Sequence, residues 1–179
     1  MSFLFQPLQL KNLKIDNRII IAPMCQYSSK DGELSFWHEQ QWASYALSGA
    51  GLCIIEATAI RPDGRISYAD LGLWNDKHSE QIKTLLSKIK TISPTPFAIQ
   101  LAHAGRKASC DTPWGDRKGQ YHPHEIQGWQ TYGPSEIPFQ ISENPPITLS
   151  ILEIKEIIND FSLAAKRSVE AGFELIELH

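Results

Sequence analysis

Short apolar runs alternate along this chain with apolar stripes of helical period, and that alternation restricts the fold more than any other feature. Four runs have the length and β-branched character of buried strands: Arg18–Met24, Leu52–Ala57, Pro96–Leu101 and Phe173–His179. Three stripes lie between them. Trp42, Tyr45 and Ala46 repeat over 37–48 and stop at Gly49 and Gly51; Ile82, Leu85, Leu86, Ile89 and Ile92 form the cleanest stripe. Ile154, Ile157, Ile158, Phe161 and Ala165 form the third, opened by the capping box Ser150-Ile151-Leu152-Glu153 and stopped by Gly172. Trp37, Trp42 and the stripes are expected in the core. Buried runs joined through helices predict an α/β fold with a parallel sheet. Leu4–Leu10 and Leu13–Ile15, around Lys11-Asn12, predict a β-hairpin ahead of it. Residues 50–56 align with 171–177 as helix stop, strand and terminal glutamate, a weak repeat that favours a barrel of βα units. On pattern alone a doubly wound sheet also fits, but no G-x-G-x-x-G follows a strand and no G-x-x-x-x-G-K is present.

Length and charge exclude several function classes. At 179 residues the chain can bury one real core, and a hydrophobic content of 42% argues against disorder. A net charge of -3 offers no electrostatic footprint for nucleic acid or an anionic membrane. No apolar stretch approaches the roughly 20 residues of a membrane span. The N-terminus lacks the basic and apolar regions of a signal peptide. Cys25, Cys53 and Cys110 are odd in number and widely spaced, which suits a reducing cytoplasm rather than a disulfide framework. No metal is expected: no C-x-x-C pair occurs, and His122-Pro123-His124 has no third ligand nearby.

In an α/β barrel the functional side chains gather at the C-terminal ends of the strands. The four ends here carry Ala22-Pro23-Met24-Cys25-Gln26-Tyr27, Glu56-Ala57-Thr58, Gln100 to Lys107, and Glu177-Leu178-His179. Paired carboxylates at glycosidase spacing are absent, as are a Ser-His-Asp arrangement and a G-x-S-x-G elbow. A neutral amide, a thiol and backbone groups suit a flavin. The Gln100 amide matches the donor–acceptor edge of an isoalloxazine ring, and a soft sulfur can tune its potential. Taken alone, Cys25 reads more readily as a buried apolar residue than as an active thiol, and Gln100 could simply serve backbone groups in the barrel. Cys53 reads as core, Cys110 as an exposed loop residue and His103 as a structural hydrogen-bonder.

The combination of Ala22-Pro23-Met24-Cys25-Gln26-Tyr27-Ser28, Pro62-Asp63-Gly64-Arg65-Ile66, Asp70-Leu71-Gly72-Leu73-Trp74, Ile99 to Lys107 and Ile176-Glu177-Leu178-His179 resembles the N-terminal half of the Old Yellow Enzyme family of flavin-dependent ene-reductases. It leans toward the bacterial class containing the xenobiotic reductases. The resemblance implies a TIM (β/α)8-barrel that binds FMN non-covalently, with NAD(P)H as reductant and an α,β-unsaturated carbonyl or similar activated alkene as substrate. It implies that Ala22, Pro23, Met24, Cys25, Ala57 and Gln100 contact FMN. It further implies that Tyr27 touches the substrate, and that His179 is the first of two imidazoles on the substrate's carbonyl oxygen. A dienoyl-reductase or NADH-oxidase-like member of the same superfamily is the alternative chemistry.

The resemblance covers the whole chain but about half of the family's barrel. Residues 1–179 are therefore expected to form about the first four βα units, the N-terminal half of a single FMN-binding domain, behind the β-hairpin. The family's second histidine, its later tyrosine and arginine and its phosphate loops fall beyond His179. Four strands leave open edges at the first and last, which invite pairing into a homo-oligomer. At most trace activity is expected of the isolated chain, with a non-catalytic, oligomerising remnant as the alternative.

Overall fold

A computed structural model describes residues 2–179. Strands β1 (Leu8–Leu10) and β2 (Leu13–Ile15) pair antiparallel as the expected hairpin. They are followed by β3 (Ile20–Ile21), α1 (Phe36–Ala46), β4 (Leu52–Ala59), α2 (Asp76–Lys90) and β5 (Phe97–Ala102). Two-residue strands β6 (Tyr132–Gly133) and β7 (Ile147–Thr148) lie in the long connection to α3 (Ile151–Ala171) and β8 (Leu175–Leu178). The order β3-β4-β5-β8 is parallel throughout, so each βα unit adds its strand to the same edge. This is the arrangement of half a TIM barrel.

Burial sorts the two faces of the sheet. Cys53, Ile55, Phe97, Ile99, Leu101 and Ile176 face the helices, where Trp42, Ile82, Leu86 and Ile89 meet them in one cluster. Trp42 packs against Phe97 and Phe173 at ring distances of 6.2 and 6.4 Å. On the opposite face, Leu52, Ile54, Ala98 and Leu175 are covered by Leu8, Leu10, Leu13 and Ile15 of the hairpin. These are the N-terminal ends of the strands. The hairpin therefore closes one end of the inner face and leaves the C-terminal end open.

Local signals produced the helix ends. Ser150 accepts from the Glu153 N–H while Glu153 accepts from the Ser150 N–H, the predicted capping box. Gly172 caps α3 with φ +102°, a conformation that costs other residues free energy.

Several expectations change. Leu4 and Phe5 belong to a short 3₁₀ turn rather than a strand. The 18–24 run pairs over two residues only, and Ile20 is 42% exposed because β3 has a neighbour on one side alone. Trp37 is 53% exposed rather than core, and Ile92 lies past the end of α2 in solvent. α3 buries Ala164, Ser168 and Ala171, while Ile154 and Ile158 of its predicted stripe remain exposed. The hydrogen bonds between α2 and α3 fall on the C-terminal half of α3, where Asp76 and Ser79 meet Arg167.

The long 104–146 segment is stitched down. Gln120 Nε2 donates to the carbonyls of Arg106 and Ala108, and Trp129 Nε1 donates to that of Asp63. Cys110 is half-buried there, its thiol against the Lys107 carbonyl, rather than simply exposed.

Candidate active site

One row of side chains crosses the open end of the inner face. The register pairs Ala57 with Gln100 and Gln100 with Glu177, and partners across a parallel sheet share a face. Strict alternation from Ile54 would have placed Glu56 in this row. A β-bulge between Ile55 and Ala57 shifts the count by one, so Ala57 takes the place and Glu56 turns away. Gln100 Nε2 donates to Glu177 Oε1 at 3.0 Å. A carboxylate only accepts, so this bond fixes the amide: its nitrogen faces Glu177 and its oxygen is left for another donor. His179 lies two residues beyond Glu177 on the same face, its N–H donating to Leu101 O at 2.9 Å and its ring exposed.

The Ala22–Tyr27 segment leaves β3 and runs past this row. Its anchor is Gln26. The Gln26 N–H donates to Glu56 Oε2 at 2.8 Å, its side-chain nitrogen to Met24 O, and its side-chain oxygen accepts from Trp37 Nε1 at 2.8 Å. Tyr27 sits in the left-handed region at φ +48°, which a residue with a Cβ adopts only when its surroundings hold it there. The Cys25 thiol lies near enough to the Ala57 backbone and the Tyr27 phenol for both to act on its acidity, without a hydrogen bond of ordinary geometry to either. Trp114, from the long segment, meets the Tyr27 ring edge-on at 5.6 Å. Met24 projects to solvent, Ala22 is exposed and Pro23 half-buried.

The electrostatics keep the protons on. Burial, with the Asp70 and Glu56 carboxylates, pushes the Cys25 thiol up to about 11. Burial and the neighbouring Cys25 and Asp70 push the Tyr27 phenol up to about 12. Asp70 is itself raised to about 6 by burial, although it accepts from the Ile66 N–H and the Ser67 hydroxyl. His103 accepts from the Gly105 N–H through Nδ1, the structural role expected of it, and burial lowers its basicity.

The structure thus places Cys25, Tyr27 and Ala57 side by side and joins Ala57, Gln100 and Glu177 by register, with His179 one residue past the last paired position, its N–H on Leu101 O. Sequence reasoning passed over Glu56, Asp70, His38 and Trp114. The available signal was a carboxylate inside an eight-residue strand with no exposed position, since a buried charge needs a partner. Nothing in the sequence announces the bulge.

A cavity of about 820 Å³ lies elsewhere, between the 60–63 turn and α3. Arg61 there pairs with Asp63 and Asp160, and Arg167 with Asp76, while Lys155 and Glu156 line it without an ion pair among the described residues. It lies against the outer helix α3 rather than on the inner face of the sheet, and the strand-end row remains the better candidate because barrel sites gather at the C-terminal ends of the strands. Among the described residues no group of three or more His, Cys, Asp or Glu side chains is placed to hold a metal ion, and no helix is long and apolar enough to cross a membrane.

Comparison with known proteins supports the half-barrel fold. The NADPH dehydrogenase of Bacillus velezensis is 44% identical over 178 residues, 98% of this chain and 47% of that protein. That of Listeria monocytogenes is 42% identical over 181 residues, covering all of this chain and 48% of its own. Morphinone reductase superposes with a TM-score of 0.79 at 28% identity, over 100% of this chain and 49% of that one. An Old Yellow Enzyme from Pichia shares the fold at a TM-score of 0.82 and 20% identity, over 99% of this chain and 46% of that one. The chain spans about half the length of the relatives it matches. The family model of the NADH:flavin oxidoreductase / NADH oxidase family matches residues 3–179, and the chain belongs to that family.

Proposed function

We propose that residues 1–179 form the N-terminal half of a single FMN-binding barrel domain, and with it one wall of the active site of an NAD(P)H-dependent oxidoreductase that reduces activated alkenes such as α,β-unsaturated carbonyls. The observation that carries this reading is the Gln100 amide, turned by Glu177 so that its oxygen awaits a donor, in one row with Ala57 and with Cys25 against Ala57. Small apolar side chains, a neutral amide, a protonated thiol and a protonated phenol fit a flat ring with a donor–acceptor edge. Glu177, the carboxylate of the row, is already engaged by Gln100. The chemistry supplied by bound FMN is hydride transfer, from NAD(P)H to the β-carbon of the alkene.

The residues of the chain bind and orient. Ala22, Pro23, Met24 and Ala57 form an apolar surface against the ring and exclude water from it. Gln100 Oε1 accepts a ring N–H. Cys25 presents an uncharged sulfur at neutral pH. Tyr27 keeps its phenolic proton and can donate it in a hydrogen bond to the substrate. The His179 imidazole holds the substrate's carbonyl oxygen, where negative charge grows during reduction; one donor of this kind contributes roughly 3–4 kcal/mol to barrier lowering in other enzymes.

Half a barrel holds half a site. The isolated 179 residues are expected to turn over at trace rates, and the open edges of β3 and β8 favour pairing with a second copy. Three free cysteines are consistent with a reducing, cytoplasmic setting. The test is a flavin difference spectrum on mixing purified chain with FMN, run beside Gln100→Leu, followed by an assay with NADPH and a cyclic enone. A Gln100-dependent band shift with trace turnover is expected. An identical flavin spectrum with and without the chain would refute the wall, and turnover at an ordinary enzymatic rate would refute the half-site.

A further inference from the structure

Glu56 is a carboxylate, 3% exposed, that strand alternation would have aimed at the row and that a bulge turns aside. Its two oxygens are divided between two elements. Oε2 accepts the Gln26 N–H at 2.8 Å, and Oε1 faces His38 Nε2 at 3.1 Å, although the ring N–H is not aligned on it. His38 is fully buried on α1, and its Nδ1 accepts the Ser35 N–H at 3.0 Å. That bond assigns the ring proton to Nε2, the atom facing Glu56. Next to Gln26, Trp37 of the same helix holds the Gln26 side chain. The first turn of α1 and the bulge thus hold the same short segment.

We propose that Glu56, braced by His38, is a positioning residue: it holds the Cys25–Tyr27 segment against Ala57 through the Gln26 amide and places a fixed negative charge behind the Cys25 thiol. This rests on the reading of Cys25 and Tyr27 as site residues. The titratable groups that face Cys25 are Asp70, Glu56 and Tyr27, from the loop after β4, from β4 and from its own segment. A carboxylate there opposes ionisation of the thiol and keeps the sulfur neutral beside an electron-rich ring. The bulge serves two ends at once, since the residue it removes from the row is the one that anchors the segment beside it.

The test needs no FMN, so its failure is distinguishable from failure of the functional reading. Alkylation of Cys25 by iodoacetamide is followed between pH 7 and 10 by peptide mass spectrometry, with Cys110 as internal reference. In Glu56→Gln the amide oxygen can still accept the Gln26 N–H but the charge is gone. The Cys25 profile is expected to move to lower pH, with a rate at pH 8 raised roughly threefold or more and Cys110 unchanged. A profile superimposable on that of the unsubstituted chain would overturn the proposal. Amide exchange in the unsubstituted chain supplies a second reading should the variant not fold. The Gln26 amide is expected to exchange at least about tenfold more slowly than that of Tyr27, and equal rates would overturn the anchoring.

Discussion

Replacing Asp70 with asparagine should remove a pH dependence from the stability of the fold. Asp70 is 2% exposed, and burial raises its carboxyl from 3.8 to about 6. The folded chain therefore holds this proton more tightly than the unfolded chain does. The stability it contributes is fully present below pH 3.8 and is lost as pH rises through 6. The total is about 3 kcal/mol, of which about 2 kcal/mol falls between pH 4.5 and 7.5. Asparagine has nearly the same shape; its oxygen can accept the Ile66 N–H, and the Ser67 hydroxyl can turn to accept from its nitrogen. Any hydrogen-bond energy lost in the exchange is common to both pH values and cancels in the difference. Glu33, Asp111, Glu125 and Glu153, whose acidities are shifted the opposite way by their hydrogen bonds, are present in both proteins and cancel as well. Urea unfolding of both chains at the two pH values measures the quantity directly. Asp70→Asn should gain about 2 kcal/mol relative to the parent on going from pH 4.5 to 7.5. Equal slopes for the two chains would refute the reasoning and mean that Asp70 ionises in the folded state as it does in the unfolded one.

Two further predictions concern the scaffold. Trp42→Ala, which opens the contact between α1, Phe97 and Phe173, should cost about 3–5 kcal/mol in chemical denaturation; a loss below 1 kcal/mol would mean that the helix layer is not packed on the sheet as described. Ser150→Ala removes half of the capping box of α3 and should cost about 1 kcal/mol, read as a lower midpoint in thermal unfolding followed by circular dichroism.

The parts of the fold written in local chemistry were legible. Ser150 with Glu153, the glycine at 172 and the Ile82 to Ile89 stripe each specify their element through nearby residues, and each stands where the sequence placed it. The parts that depend on absent or distant neighbours were not. Ile20 reads as a buried strand residue because β-branched runs usually acquire two neighbours, whereas β3 has one. Ile154 and Ile158 have the period of a buried stripe, but they stay exposed, since α2 meets α3 through Arg167 in its C-terminal half. Trp37 has the bulk of a core residue and instead reaches out to Gln26. Register was the least legible property. Alternation along Leu52–Ala59 assigns Glu56 to the inner face and Ala57 to the helices, and the bulge exchanges them. The motif resemblance implied that Ala57 and Gln100 contact the cofactor, but their standing in one row, and the orientation of the Gln100 amide, follow only from the paired strands.

The central claim is that this row and the segment beside it form a flavin wall. The most direct measurement is a titration of isotopically labelled chain with FMN into the millimolar range, followed by amide and side-chain NMR. The account predicts shifts concentrated at Met24, Cys25, Tyr27, Ala57 and the Gln100 side-chain amide, with the Arg61–Asp160 cavity unaffected. Shifts confined to that cavity, or none at the Gln100 amide, would contradict it.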